Sequence, residues 1–272
     1  MITERAVVGL AVTAMGLFAS AGCASSGSGG NASQSAGPSP SQASVSIVAL
    51  GDSDATGIGD STGRGWVGAY GDLVETKLNT PVTVQNLATE GKTSYRLRED
   101  VTSDDALRRV LSQADVILVG IGGADLNAGD DALSVGDCSG RQCYARILQA
   151  FDSNIKAIAS EVHRLAPAAV LRAISLPNVV PGGADVIPKF ITEDIGRYQV
   201  LAERKSVCQA MRSNGGQCVD VVLAFNGENA SRDAYKIGLM TKDPCCYPSA
   251  KGQQLIATLL AATGLEGLQD AP

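Results

Sequence analysis

Past residue 44 the chain alternates short apolar runs with longer amphipathic ones. Five runs rich in Val, Ile, Leu and Ala read as strands buried on both faces, at residues 46–50, 82–87, 116–121, 169–175 and 218–223. Helical patterns fall between them at 66–78, 103–113, 142–165, 192–213 and 249–262. Ala166-Pro167 and Asn214-Gly215-Gly216 are stop signals after two of these. Such alternation predicts one α/β domain, a three-layer α/β/α sandwich on a central parallel sheet, spanning residues 45–264 with a flexible tail at 265–272. Two stretches without periodic pattern, 126–142 and 176–189, fall at the C-terminal edge of that sheet, where they would border a pocket.

The first 44 residues follow a different pattern. Arg5 precedes an apolar run from Ala6 to Ala21, short for a membrane span and shaped like the core of a signal peptide. It ends Ser20-Ala21-Gly22-Cys23, similar to the bacterial lipoprotein processing site in which the cysteine becomes the lipidated first residue. Residues 1–22 are therefore expected to be a signal peptide and Cys23 a lipid attachment point. Cleavage after Ala19-Ser20-Ala21 is the alternative, giving a freely secreted protein. Residues 23–44 are mostly Ser, Gly, Ala, Gln, Asn and Pro, too polar to bury a core, and predict a flexible tether. The expected location is the outer face of the cytoplasmic membrane.

Of 272 residues, 44% are hydrophobic, enough for one sizeable core. A net charge of -6 argues against nucleic-acid binding, and 4% aromatics leave few stacking platforms. Beyond Cys23 there are six cysteines, an even number that in an exported chain reads as disulfides. Short loops favour Cys138–Cys143 and Cys208–Cys218, leaving Cys245 and Cys246 either bonded to each other or reduced. No histidine accompanies them and no C-x-x-C spacing occurs, so no metal or other cofactor is expected.

Chemistry concentrates where predicted strands end. The first strand runs into Gly51-Asp52-Ser53, then Gly57 and Gly59, which places a serine hydroxyl at the sheet's ligand edge. The second ends in Asn86-Leu87-Ala88-Thr89-Glu90-Gly91, the third in Gly122-Gly123-Ala124-Asp125-Leu126-Asn127. Asp243-Pro244-Cys245-Cys246-Tyr247-Pro248 leads into the last helix. A nucleophilic serine needs a base for its proton and donors for the developing oxyanion. These four segments, in this order, resemble the SGNH (GDSL) hydrolase family of esterases and lipases, whose fold is flavodoxin-like. The resemblance implies Ser53 as nucleophile and Ser53 and Gly91 as oxyanion donors. It implies Asp243 at the acid position and a small ester, acyl or glycan-type ligand.

Two positions depart from the family. The oxyanion asparagine is replaced by Ala124, and the histidine before the proline by Tyr247, with one extra residue separating Tyr247 from Asp243. The only histidine, His163, falls late in a helix that should end at the opposite edge of the sheet. A tyrosine holds its proton at neutral pH and is a poor acceptor. Asp243, Asp125 and Lys251 are the remaining candidate bases. Three readings follow: a family member with weak or lost hydrolase activity that binds its ligand in the old crevice, a working esterase using Ser53 with an unconventional base, and a non-catalytic scaffold lipoprotein.

Overall fold

The computed structural model describes residues 44–183, 185–265 and 268; the expected signal peptide, Cys23 and the tether up to residue 43 lie outside them. Five parallel strands form one sheet: β1 (Val45–Gly51), β2 (Val82–Asn86), β3 (Val116–Gly120), β4 (Val170–Ile174) and β5 (Gln217–Val219). Their order is β2-β1-β3-β4-β5, so the chain reverses its direction of winding between β1 and β3. Open sheets of this order carry their ligand crevice at that reversal, beyond the C-terminal ends of the strands.

Side chains of the inner strands leave alternately for two apolar layers, which is why each strand reads as an unbroken hydrophobic run. Val45, Ile47 and Ala49 share one layer with Val116 and Leu118, under α1 (Gly65–Leu78) and α8 (Ala250–Ala262). Val48 and Leu50 share the other with Ile117 and Val119. It is covered by α2 (Ser94–Ser103), α3 (Asp105–Ser112), α5 (Gln142–Leu165) and α6 (Glu193–Ser213). The result is the three-layer α/β/α arrangement that the alternation predicts. Leu265 and Leu268, within the segment read as a tail, are buried in the first layer.

Three elements differ from the sequence reading, two of them through local capping. The run 218–223 is a strand only as far as Val219. Asp220 then accepts a hydrogen bond from the Leu223 N–H at 2.9 Å and opens a helix, α7 (Val221–Asn226). The helix expected at 103–113 is α3, and a further helix not expected from the sequence, α2, precedes it; Asp104 ends α2 and caps α3 through the N–H groups of Ala106 and Leu107 at 2.8 and 3.1 Å. The stretch 126–142 is in large part helical: α4 covers Gly123–Ser134, while 176–189 carries no helix or strand among its described residues.

After α7 an antiparallel hairpin, β6 (Met240–Lys242) and β7 (Cys245–Pro248), stands apart from the main sheet. Cys138 is bonded to Cys143, Cys208 to Cys218, and Cys245 to Cys246. Gln253, buried at the start of α8, fixes the base of the hairpin. Its amide oxygen accepts from the Trp66 N–H at 2.9 Å, and its amide nitrogen donates to the carbonyls of Ile58 at 3.0 Å and Pro248 at 3.2 Å. Gln253→Leu leaves these three backbone groups without partners. Urea denaturation should show a loss of about 2–4 kcal/mol; a loss under about 0.5 kcal/mol would mean that the amide is not holding these elements.

Candidate active site

β1 ends against β3, where the Asp52 N–H donates to the Gly120 carbonyl at 3.0 Å. Asp52 is fully buried. One oxygen of its carboxylate accepts from the N–H groups of Gly122 at 2.9 Å and Ala124 at 3.3 Å, and the other accepts from the Asp54 N–H at 3.2 Å. The next residues, Ser53–Ala55, wind into one 3-10 turn. The aspartate thus caps the first turn of α4 from the end of another strand and pins the serine between the two.

The exit of β2 is tied alongside. Thr89 N–H donates to the Gly51 carbonyl at 3.0 Å, and the Asn86 side-chain amide donates to the Ala55 carbonyl at 2.7 Å. This brings Gly91, at φ +74°, to the same edge; a side chain there would find space but a strained backbone. Ser53, Gly91, Ala124 and Tyr247 all line one cavity of about 630 Å³, in the size range of small-molecule pockets. Among the described residues, the backbone N–H groups of Ser53 and Gly91 have no hydrogen-bond acceptor, so two oxyanion-type donors are uncommitted. Ala124 brings no side-chain donor, and its N–H is engaged by Asp52.

The other sequence candidates lie elsewhere or are engaged. Asp243 is exposed in the turn between β6 and β7, its carbonyl accepting from the Thr241 hydroxyl at 3.0 Å, and does not line the cavity. His163 is exposed near the end of α5, away from the lining. Lys251 is exposed and donates to the Ile237 carbonyl at 2.9 Å. Asp125 accepts from the N–H and hydroxyl of Ser94 at 2.8 and 2.5 Å, linking α4 to α2. Cys245 and Cys246 enter the cavity wall with Tyr247, and Asn127 lines it from α4.

Two acids not singled out in the sequence stand near Ser53, one in the cavity wall and one buried behind it. Asp54 lines the cavity beside Ser53, and burial together with the charge of Asp52 pushes its carboxyl up to about 8. Glu203 on α6 is buried, with one oxygen accepting from the Leu176 N–H at 3.2 Å and the other without a partner. Burial, and then the nearby charges of Asp54 and Asp52, hold it well above the usual carboxylate range. Asp54 directly follows the motif and could have been read as a charge at a strand end. Glu203 gives no local signal, since a glutamate inside a helix is ordinary.

At neutral pH Asp54 therefore carries its proton and is a poor acceptor for the serine. In the folded chain it stays protonated to a higher pH than its unfolded value of 3.8. Its stabilising contribution is complete below that value and lost as pH rises towards about 8. Asp54→Asn has no proton to lose. Relative to wild type its urea midpoint should climb steadily between about pH 4 and pH 8 and then level off, and an unchanging difference would refute the shift.

Comparison with known proteins agrees with this geometry. The sequence profile of the GDSL-like Lipase/Acylhydrolase family matches residues 49–255. The uncharacterized protein YpmR of Bacillus subtilis (strain 168) is 36% identical over 83 residues, 30% of this chain and only 32% of its own length. The fold is similar to that of a lipase from a goat rumen metagenome (TM-score 0.67, 17% identity, 81% of this chain and 97% of that one). It is also similar to an extracellular lipase of Streptomyces rimosus (TM-score 0.58, 19% identity, 81% and 100%). A mutant acetyl-xylooligosaccharide esterase from Geobacillus gives a TM-score of 0.59 at 16% identity, over 82% and 95% of the two chains. At the fourth position of the motif that names the family, this chain has Asp54 in place of leucine. With the profile spanning most of its length and the sheet, serine and cavity in place, the chain belongs to the GDSL-like lipase/acylhydrolase family.

Proposed function

We propose that this protein binds ester- or acyl-type ligands in the Ser53 cavity, with hydrolysis that is slow or lost. The observation that carries the reading is the lining itself. Serine and two free backbone donors meet there, while no histidine is among the residues around them. Without a base the hydroxyl keeps its proton, and loss of a triad member lowers such a rate by about 10⁴–10⁶-fold. By the family resemblance Tyr247 occupies the position of the base, and a phenol brings a proton of its own instead of a lone pair ready to accept one. The missing side-chain donor at Ala124 weakens charge stabilisation further.

A second reading, a working esterase, draws support from Asp54. Among the acids near Ser53 it lines the cavity and has no side-chain hydrogen bond with a described residue, and it ionises near pH 8. An Asp54-assisted reaction would rise with pH through that value.

Short-chain p-nitrophenyl esters separate the two. Under the first reading wild type and Ser53→Ala hydrolyse them at nearly the same rate, and Tyr247→His combined with Ala124→Asn raises the rate by at least about 100-fold. Wild-type turnover that Ser53→Ala abolishes, rising through about pH 8 and lost in Asp54→Asn, would overturn it in favour of the second.

We also propose that the protein is exported and held at the outer face of the cytoplasmic membrane by lipid on Cys23, supported by the Ser20-Ala21-Gly22-Cys23 ending of the leader. Labelled fatty acid fed to expressing bacteria should enter the protein and be lost in Cys23→Ser. Unlabelled protein released into the medium would point to plain secretion.

A further inference from the structure

The cavity has two unlike sides. The segment between β4 and α6 supplies an apolar one, with Leu176, Val180, Val186, Ile187 and Phe190 in the lining. Phe190 keeps 40% of its surface exposed at this wall. α4 supplies the opposite character. Asn127, Asp130, Asp131 and Ser134 follow the i, i+3, i+4, i+7 spacing of a single helical face, and all four line the cavity. With Asp54 and Glu90 this makes four carboxyl groups in the lining, and no Lys, Arg or His among its described residues.

Asp130 is held in place. It accepts from the Tyr144 hydroxyl, and from the Gln199 side-chain amide at 3.4 Å. Two nearby cations are engaged elsewhere: Lys92, beside Gly91, pairs with Asp100 at 2.6 Å, and Lys242 of the hairpin pairs with Asp185 at 2.8 Å. Lys189 is exposed between two lining residues but is not itself in the lining.

We propose that the cavity takes an acyl ester whose head group is positively charged, with the acyl chain against the apolar segment and the cation facing Asp130 and Asp131 of α4. The inference rests on the ligand-binding reading above and adds the charge of the ligand to it. An anionic amphiphile, such as a free fatty acid or a phosphate-bearing acyl group, would enter with its charge facing the acidic side chains of α4 and with no cation among the described lining residues to receive it. A cation lowers the electrostatic cost of those same carboxyl groups.

Three probes of equal chain length test this: hexyltrimethylammonium, hexanol and hexanesulfonate, titrated calorimetrically into the purified protein at low salt. The ammonium should bind at least about tenfold more tightly than the sulfonate, with the alcohol between them. The preference should fall to within about threefold in Asp131→Asn combined with Glu90→Gln, both exposed positions, and in about 0.5 M sodium chloride. Asp130→Asn should narrow it likewise. Equal binding of all three probes would overturn the charge inference and leave the ligand cavity standing. No binding by any of them would overturn the ligand-binding reading, and the inference with it.

Discussion

A carboxylate shut off from solvent must find donors in the protein, and Asp52 takes three, the backbone N–H groups of Asp54, Gly122 and Ala124. Through them the end of β1 is fastened to the first turn of α4 across the end of β3. The turn carrying Ser53 is part of the same knot. Gly123 sits so tightly in it that a Cβ would lie 3.1 Å from an Asp54 carboxyl oxygen and 3.5 Å from one of Asp52. The position of the serine, the direction of α4 and the acidic face that α4 presents to the cavity all follow from where this one side chain finds its partners.

The same region crowds acids together. Asp52, Asp54, Asp125 and Glu203 are all shifted towards the protonated form, in each case chiefly by burial. Their surroundings divide them. Asp52 and Asp125 have donors that offset part of that effect, while Asp54 has no such partner among the described residues and Glu203 has one oxygen unpaired. Asp54, raised to about 8, holds its proton near neutrality. Among the described residues no histidine lines the cavity with Ser53, and Asp54, the acid beside it in the chain, holds its proton at pH 7.

Placement and reactivity are separable here because they depend on different residues. Ser53 is positioned by a strand end, a buried aspartate and the glycines around it. Tyr247 is carried by the β6–β7 hairpin, whose base Gln253 ties to the neighbourhood of Trp66. None of these supports needs a histidine at 247. The family fold is therefore compatible with tyrosine at 247 and alanine at 124, the two positions that depart from the family's pattern.

The strands were legible in the sequence because a parallel sheet covered on both faces requires unbroken apolar runs, and β1 to β4 occupy nearly the residues those runs mark. The location of the site was legible too, since Gly51-Asp52-Ser53 and Gly122-Gly123 sit where strands end at the crevice. α4 was not: its first turn is capped by Asp52, 70 residues away for the Gly122 contact, so no local signal announces it. The surroundings of Asp54, Glu203 and Asp130 depend on contacts between distant segments, and only tertiary packing decides which acids are buried, which are paired and which share a cavity. Sequence alone determined the fold and the strand end at which the serine falls, because both rest on local patterning. The charge of the pocket and the protonation of its acids were decided by the folded chain, because burial and proximity exist only there.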